Sequence, residues 1–386
     1  MDSLVSYATT KLERLAKASL KRDLSCTARA DGIVVERNGR RLISFSCNDY
    51  LNLIQHPAIA VAAQDALARY GLGAGASRLV TGNHPLYADL ESRLARLKGA
   101  ESACVFGSGY LTNLGVIPAL VGRHDIILID ELAHACLWGG AQLSGARVLM
   151  FRHNDVDHLR ALLAQHRAAH PRALVLTDGV FSMDGDLAPL PALSRVARLY
   201  DAWLMSDDAH GIGVLGGGRG STFAHDAPVD IPLQMGTLSK AIGAYGGYLC
   251  AAAPVIELMK SRARTFIYST ALPPAVVAAA IAALDLIEHD PGYAALPLAK
   301  ARAFTRRIGL PDATSPIVPV VVGEADAALA ASRMLEAEGY LVVAIRPPTV
   351  ADGTARLRFT FTPAHSDADI ERVADLVKTR VLAVAA

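Results

Sequence analysis

Gly236-Thr237-Leu238-Ser239-Lys240 overlaps the end of the apolar run Ile231-Pro232-Leu233-Gln234-Met235-Gly236, and Asp207-Asp208-Ala209-His210 closes the run Ala202-Trp203-Leu204-Met205-Ser206. A third run, Ala173-Leu174-Val175-Leu176-Thr177-Asp178, lies upstream, and the three recur at about thirty residues, the length of one βαβ unit. Short apolar runs of this kind predict neighbouring strands of a parallel sheet with both faces covered. Ligands of open α/β sheets gather outside the carboxyl ends of the strands, and Ser182, Asp207, His210, Thr237 and Lys240 all fall just there.

The chemistry of these residues narrows the reading. A lone lysine in a loop is ordinarily a solvated charge, and a single Asp-x-x-His is ordinarily a turn or a cap. At the ends of adjacent buried strands they offer more. A desolvated lysine loses its proton readily and forms a Schiff base with an aldehyde, while an acid and a histidine can hold a heterocycle's ring nitrogen and phenolic oxygen. The combination points to pyridoxal 5′-phosphate (PLP). Gly107-Ser108-Gly109-Tyr110 precedes the helical run Leu111–Leu120, so the N–H groups of Gly109 and Tyr110 can meet a phosphate at a helix N-terminus.

Composition excludes other classes. With 386 residues, 52% of them hydrophobic, the chain can bury a large core in more than one domain. Its 38 basic and 37 acidic residues leave a net charge of +1, so neither a nucleic-acid groove nor a polybasic membrane contact is expected, and the partners should be small molecules. The longest apolar run, Ala275–Leu284, stops at Asp285 and falls short of the ~20 residues that cross a bilayer. The charged start, with Asp2, Lys11, Glu13, Arg14 and Lys17, lacks the apolar segment of an export signal, and a cytoplasmic location is expected. Five scattered cysteines read as reduced core thiols, and no metal is expected.

Along the chain, residues 1–45 form an N-terminal arm, with an amphipathic helix and a hairpin turning at Asn38-Gly39. A helix starting at Pro85 puts Leu86, Leu90, Leu94 and Leu97 on one face and stops at Gly99. Residues 46–288 make the large α/β domain. After Asp290-Pro291-Gly292, residues 289–386 make a small α+β domain whose strands are Ile317–Val322, Leu341–Ile345 and Ala355–Phe361.

Seven segments, in order, resemble the α-oxoamine synthases, which are fold-type-I PLP enzymes. They are Asn48-Asp49-Tyr50-Leu51, Gly107-Ser108-Gly109-Tyr110, Leu132-Ala133-His134-Ala135, the stretch from Asp178 to Asp186, Asp207-Asp208-Ala209-His210-Gly211, Thr237-Leu238-Ser239-Lys240 and Arg356-Leu357-Arg358. The resemblance spans essentially the whole chain. It implies an acyltransferase that condenses an amino acid with an acyl thioester and loses carbon dioxide. Ala344-Ile345-Arg346-Pro347-Pro348-Thr349-Val350 resembles the branch that joins L-alanine to a pimeloyl thioester, on coenzyme A or acyl carrier protein, in biotin biosynthesis.

The same resemblance implies roles. Lys240 is the Schiff-base lysine and the base for the α proton, Asp207 pairs with the ring nitrogen, His210 and Ser182 bond the phenolic oxygen, and His134 stacks on the ring. Ser108, Gly109, Tyr110 and Thr237 hold the phosphate, and Ser269 and Thr270 reach the phosphate of the partner subunit in a homodimer with shared sites. Arg358, helped by Asn48, holds the amino-acid carboxylate, for which an arginine fork is suited. Arg22 and Thr349 bind the acyl substrate. Two rivals stand beside this reading: another α-oxoamine synthase using glycine, serine or a different acyl group, and a catalytically inactive PLP-binding partner or regulator.

Overall fold

The computed structural model describes residues 2–383, so Met1 and 384–386, which the expected N- and C-terminal regions include, lie outside the described residues. Two compact units emerge. Among the described residues, one holds those up to Cys47, Met183–Gly185 and those from Ala299 on, and the other holds Asn48–Ser182 and Asp186–Leu298.

In the first unit, β1 (Thr27–Asp31), β2 (Val34–Arg37) and β3 (Arg40–Ser44) form an antiparallel meander. Asn38 and Gly39, at φ 52° and 72°, make the hairpin turn between β2 and β3, the left-handed pair that such a two-residue connection requires. The second unit carries the seven-stranded sheet of β4 (Ser102–Phe106), β5 (Ile126–Asp130), β6 (Arg147–Phe151), β7 (Ala173–Asp178), β8 (Trp203–Asp207), β9 (Leu233–Thr237) and β10 (Gly247–Ala251), in the order β4-β10-β9-β8-β7-β5-β6. β5 to β9 run parallel, and β10 is antiparallel to both its neighbours.

Side-chain alternation divides the core in two. Ile127, Ile129, Leu174 and Leu176 pack with Val116, Ile117 and Leu137 of two helices, Gly109–Leu120 and Ala135–Ser144. Ile126, Leu128, Ala173 and Val175 face the other way, onto Leu159 and Leu163 of Val156–His166 and Leu193 and Val196 of Leu190–Leu199. A strand covered on both faces needs apolar residues at every position, hence the unbroken runs in the sequence.

Three expectations change. The β8 to β9 crossover is not a βαβ unit, because only the short turn Ser221–Phe223 interrupts it. A buried carboxylate organises this connection instead: Asp208 Oδ2 accepts from Lys98 Nζ at 2.6 Å and Oδ1 from the Ser221 N–H at 3.0 Å, while Lys98 Nζ also reaches the Arg219 carbonyl at 2.7 Å. Gly220, at φ 103°, leaves no room for a Cβ, which would lie 1.8 Å from Asp208 Oδ2. The expected strand Leu341–Ile345 also divides. In the first unit, β11 (Ile317–Gly323) pairs with β14 (Ala355–Thr360), β12 (Tyr340–Leu341) joins β3 in parallel, and β13 (Val343–Ile345) joins β14 on its other edge. The Val343 N–H donates to Ser46 Oγ at 2.8 Å where the chain changes sheets.

The cysteines are the third change. Cys104, Cys136 and Cys250 are buried, but Cys26 is exposed, and among the described residues none forms a disulfide. His166 and His170 stand four apart, yet the helix ends at His166, and His170 Nδ1 lies 3.0 Å from the His124 carbonyl. No helix among the described residues is long and apolar enough to cross a membrane.

Both side chains of the Lys98–Asp208 pair are essentially shielded from water, so removing one partner strands a buried charge. Lys98→Ala is expected to lower stability by about 3–5 kcal/mol in chemical denaturation, and Lys98→Met with Asp208→Asn by less, because no charge is then left alone.

Candidate active site

Lys240 follows the end of β9, and its Nζ lies 2.9 Å from His210 Nε2. His210 Nδ1 is 2.6 Å from the hydroxyl of the buried Tyr50, which donates to Asn48 Oδ1 at 3.2 Å. Asn48, Tyr50, His210 and Lys240 thus form one hydrogen-bonded chain that ends at the lysine.

Asp207 ends β8 and is 3% exposed. Its oxygens accept from Asn113 Nδ2 at 2.8 Å and from the Ala209 N–H at 3.0 Å, with Cys136 Sγ at 3.9 Å. The amide and the backbone N–H are neutral donors, an unusual setting for a buried carboxylate. Asp178, at the end of β7, accepts from the His134 N–H at 2.8 Å. Burial, reinforced by the charge of Asp207, raises its pKa well above the carboxylate range. His134 caps the helix Ala135–Ser144 through Nδ1, which accepts from the Cys136 N–H at 3.2 Å. Burial lowers the His134 pKa and keeps the ring neutral.

The helix Gly109–Leu120 starts two residues earlier than the sequence reading placed it, capped by Ser108, whose side chain accepts from the Leu111 N–H at 3.2 Å. The N–H groups of Gly109 and Tyr110 lie in its first turn, where no carbonyl of the helix can reach them. This turn sits against β10: a Cβ on Gly247 would come 2.5 Å from Gly109 N, and one on Gly109 would come 3.3 Å from Thr237 Cβ. Thr237 Oγ1 is 2.8 Å from both the Gly246 carbonyl and Ser239 Oγ.

Other candidates are placed separately. Ser182 lies in the turn after β7, closed by the Phe181 N–H on the Asp186 carbonyl at 3.0 Å. Ser269 and Thr270 belong to the second unit, where Thr270 bridges to Ser77, and among the described residues no hydrogen bond ties either side chain to Lys240 or Asp207. Arg22, Thr349 and Arg358 belong to the first unit. Arg22 Nη2 donates to Thr349 Oγ1 at 2.9 Å, and Arg346 bonds the Ser19 and Lys21 carbonyls, so the segment around Arg22 is fastened to the Arg346–Thr349 turn. Arg358 is buried on β14, opposite Pro319 of β11 and Val343 of β13.

Comparison with known proteins decides the family. Residues 40–377 match the family "Aminotransferase class I and II". An 8-amino-7-oxononanoate synthase from Methylocella silvestris is 66% identical over 342 residues, covering 89% of this chain and 97% of its own. One from Beijerinckia indica is 60% identical over 377 residues, covering 98% of each. This chain belongs to the 8-amino-7-oxononanoate synthase family. Among solved structures, a serine palmitoyltransferase from S. paucimobilis with a bound PLP-myriocin aldimine superposes with a TM-score of 0.91 at 27% identity, covering 99% of this chain and 98% of that one.

In this 8-amino-7-oxononanoate synthase family member, the site contains residues that no role assignment had singled out. Tyr50 sat in a recognised motif without a role. Asn113 had a legible signal, since it is a polar residue in the apolar helix stretch Leu111–Leu120. Cys136 and His153 had none. His153 braces the turn that carries Ser182: its Nδ1 lies 3.0 Å from Asp130 Oδ1, its Nε2 2.8 Å from Asp186 Oδ2, and Phe181 packs edge-on against its ring.

Burial would lower the His153 pKa, but its hydrogen bonds and charge pairing with Asp130 and Asp186 raise it from 6.5 to about 10. A raised pKa means that the protonated imidazole stabilises the fold fully below pH 6.5 and loses that contribution as pH climbs through about 10. The denaturation midpoint is expected to fall across this window, and the fall should flatten in His153→Gln when the two proteins are titrated side by side.

Proposed function

We propose that this protein condenses L-alanine with a pimeloyl thioester, releasing carbon dioxide and free thiol and yielding 8-amino-7-oxononanoate for biotin synthesis, in the cytoplasm and as a homodimer. Its cofactor is pyridoxal 5′-phosphate. The observation that carries the reading is Lys240 Nζ 2.9 Å from His210 Nε2, one strand over from a buried Asp207 that accepts from the neutral Asn113 amide and Ala209 N–H.

The residues fit the cofactor. A protonated pyridine nitrogen would supply the positive charge that Asp207 lacks, and the Gly109–Tyr110 turn offers backbone N–H groups at a helix N-terminus for the phosphate. When bound, the cofactor supplies an electron-withdrawing ring conjugated to the α-carbon of the amino acid.

Each residue then has a task. Lys240 Nζ holds the cofactor in the resting enzyme and takes the α proton of alanine. Asp207 keeps the ring nitrogen protonated, His210 and Ser182 hold the phenolic oxygen, and His134 fixes the tilt of the ring. Ser108 sets the helix start, so that Gly109 and Tyr110, with Thr237, bind the phosphate. Ser269 and Thr270, which do not join this cluster within the chain, serve the phosphate of the partner subunit. Arg358, with Asn48, takes the carboxylate of alanine through a bidentate fork. Arg22 and Thr349, already hydrogen-bonded to each other, take the acyl substrate as a pair.

Mass spectrometry of the products formed from L-alanine and pimeloyl-coenzyme A is expected to show 8-amino-7-oxononanoate. Faster turnover of glycine or serine with another acyl-coenzyme A would replace the substrate assignment and leave the role of Lys240 intact. Asp207→Asn is expected to keep the cofactor bound while turnover drops by about a hundredfold or more, since an amide cannot pair with a protonated ring nitrogen. Undiminished turnover would make Asp207 a structural strand end.

A further inference from the structure

Two side chains, Asn113 and Cys136, join Asp207 to His134. Asn113 Nδ2 lies 2.8 Å from Asp207 Oδ2 and 3.0 Å from Cys136 Sγ, and Cys136 Sγ lies 2.7 Å from His134 Nδ1. An amide nitrogen has two protons, so Asn113 can serve the carboxylate and the sulfur together. The sulfur, accepting from Asn113, keeps its own S–H to give. His134 Nδ1 already accepts from the Cys136 N–H at 3.2 Å, so it carries no proton and is the acceptor within closest reach of the thiol.

We propose that Cys136 is a positioning residue: relayed through Asn113, it fixes His134 as the Nε2–H tautomer and ties the orientation of that ring to Asp207. The inference rests on the reading of His134 as the residue that stacks on the cofactor. A ring lying on a flat cofactor is held only by its edge, and Nδ1 is the edge that Cys136 grips twice, by its N–H and by its S–H. The protonation states agree. Burial pushes the Cys136 thiol well above its ordinary pKa, so it remains a donor, and burial lowers the His134 pKa, so Nδ1 remains an acceptor. The thiol is thereby kept from nucleophilic chemistry.

The relay also explains an asymmetry at Asn113. Its Nδ2 protons are both engaged, while its Oδ1 is buried with no hydrogen-bond partner. That arrangement is tolerated where the donors are needed more than the acceptor, because both act on the same two site residues.

The test reads the tautomer directly in cofactor-free protein labelled with 15N-histidine, with the His134 signals assigned by their loss in His134→Ala. Unaltered protein and Cys136→Ser, whose hydroxyl can still donate, are expected to show His134 as the Nε2–H tautomer. In Cys136→Ala the share of the Nδ1–H tautomer is expected to rise about fivefold, the effect of losing one hydrogen bond. On loading pyridoxal phosphate, the absorbance band of the bound cofactor should shift in Cys136→Ala and be restored in Cys136→Ser. An unchanged tautomer in Cys136→Ala, or failure of serine to restore it, overturns the inference. A missing cofactor band in the unaltered protein would instead overturn the functional reading, and the tautomer result would stand by itself.

Discussion

The buried ion pair between Lys98 and Asp208 is the interaction on which the arrangement of the site depends. Two acidic residues end β8 in succession, and in a strand successive side chains point to opposite faces. Asp208 is answered by the ammonium of Lys98 at 2.6 Å, whereas Asp207, on the other side, meets Asn113 and a backbone N–H. The fold thus places the buried Lys98 on the acid that shapes the loop. Asp207, on the side of the lysine that follows β9, accepts from neutral donors.

A second neutralisation works by a proton in place of a cation. Asp178 lies one strand over from Asp207, and two close carboxylates in a buried place cannot both ionise cheaply. Burial, then the neighbouring charge of Asp207, push the Asp178 pKa up, and its carboxyl accepts from the His134 N–H. At these strand ends Asp208 is ion-paired, the Asp178 carboxyl is pushed toward its protonated form by burial, and Asp207 accepts from neutral donors.

Much of this was legible in the sequence, and the limits follow from physics. Continuous apolar runs gave away β7, β8 and β9 because strands covered on both faces tolerate nothing else, and the polar residues after them marked the ligand side. The expectation of a helix between β8 and β9 failed because Asp208, Ser221 and Gly220 build that crossover through contacts distant in sequence, and no local propensity reports such contacts. The division of Leu341–Ile345 between two sheets was hidden for a similar reason, since both halves are good strand formers and only their partners differ. Lys240, His210 and Asp207 stood out through their chemistry, and the fold brings them to neighbouring strand ends. Cys136 escaped because a cysteine in a helix start is equally at home as a small apolar filler.

The place where Gly247 meets Gly109 sets a tolerance. In register, Gly247 lies opposite Thr237 on β9 and opposite Phe106 on β4, so it faces the strand that leads to Lys240 and the strand that leads into the helix start. Where the two glycines meet, the approach is backbone against backbone, with the Thr112 hydroxyl alongside. A side chain in that gap would bring its own rotamers and let the separation drift from one state to another. Main chain held by a sheet has no such choice, and its displacements are of about 0.5 Å along any direction. The distance from the helix N-terminus to the lysine strand therefore behaves as a fixed gauge, set by main chain at the point where the two glycines touch.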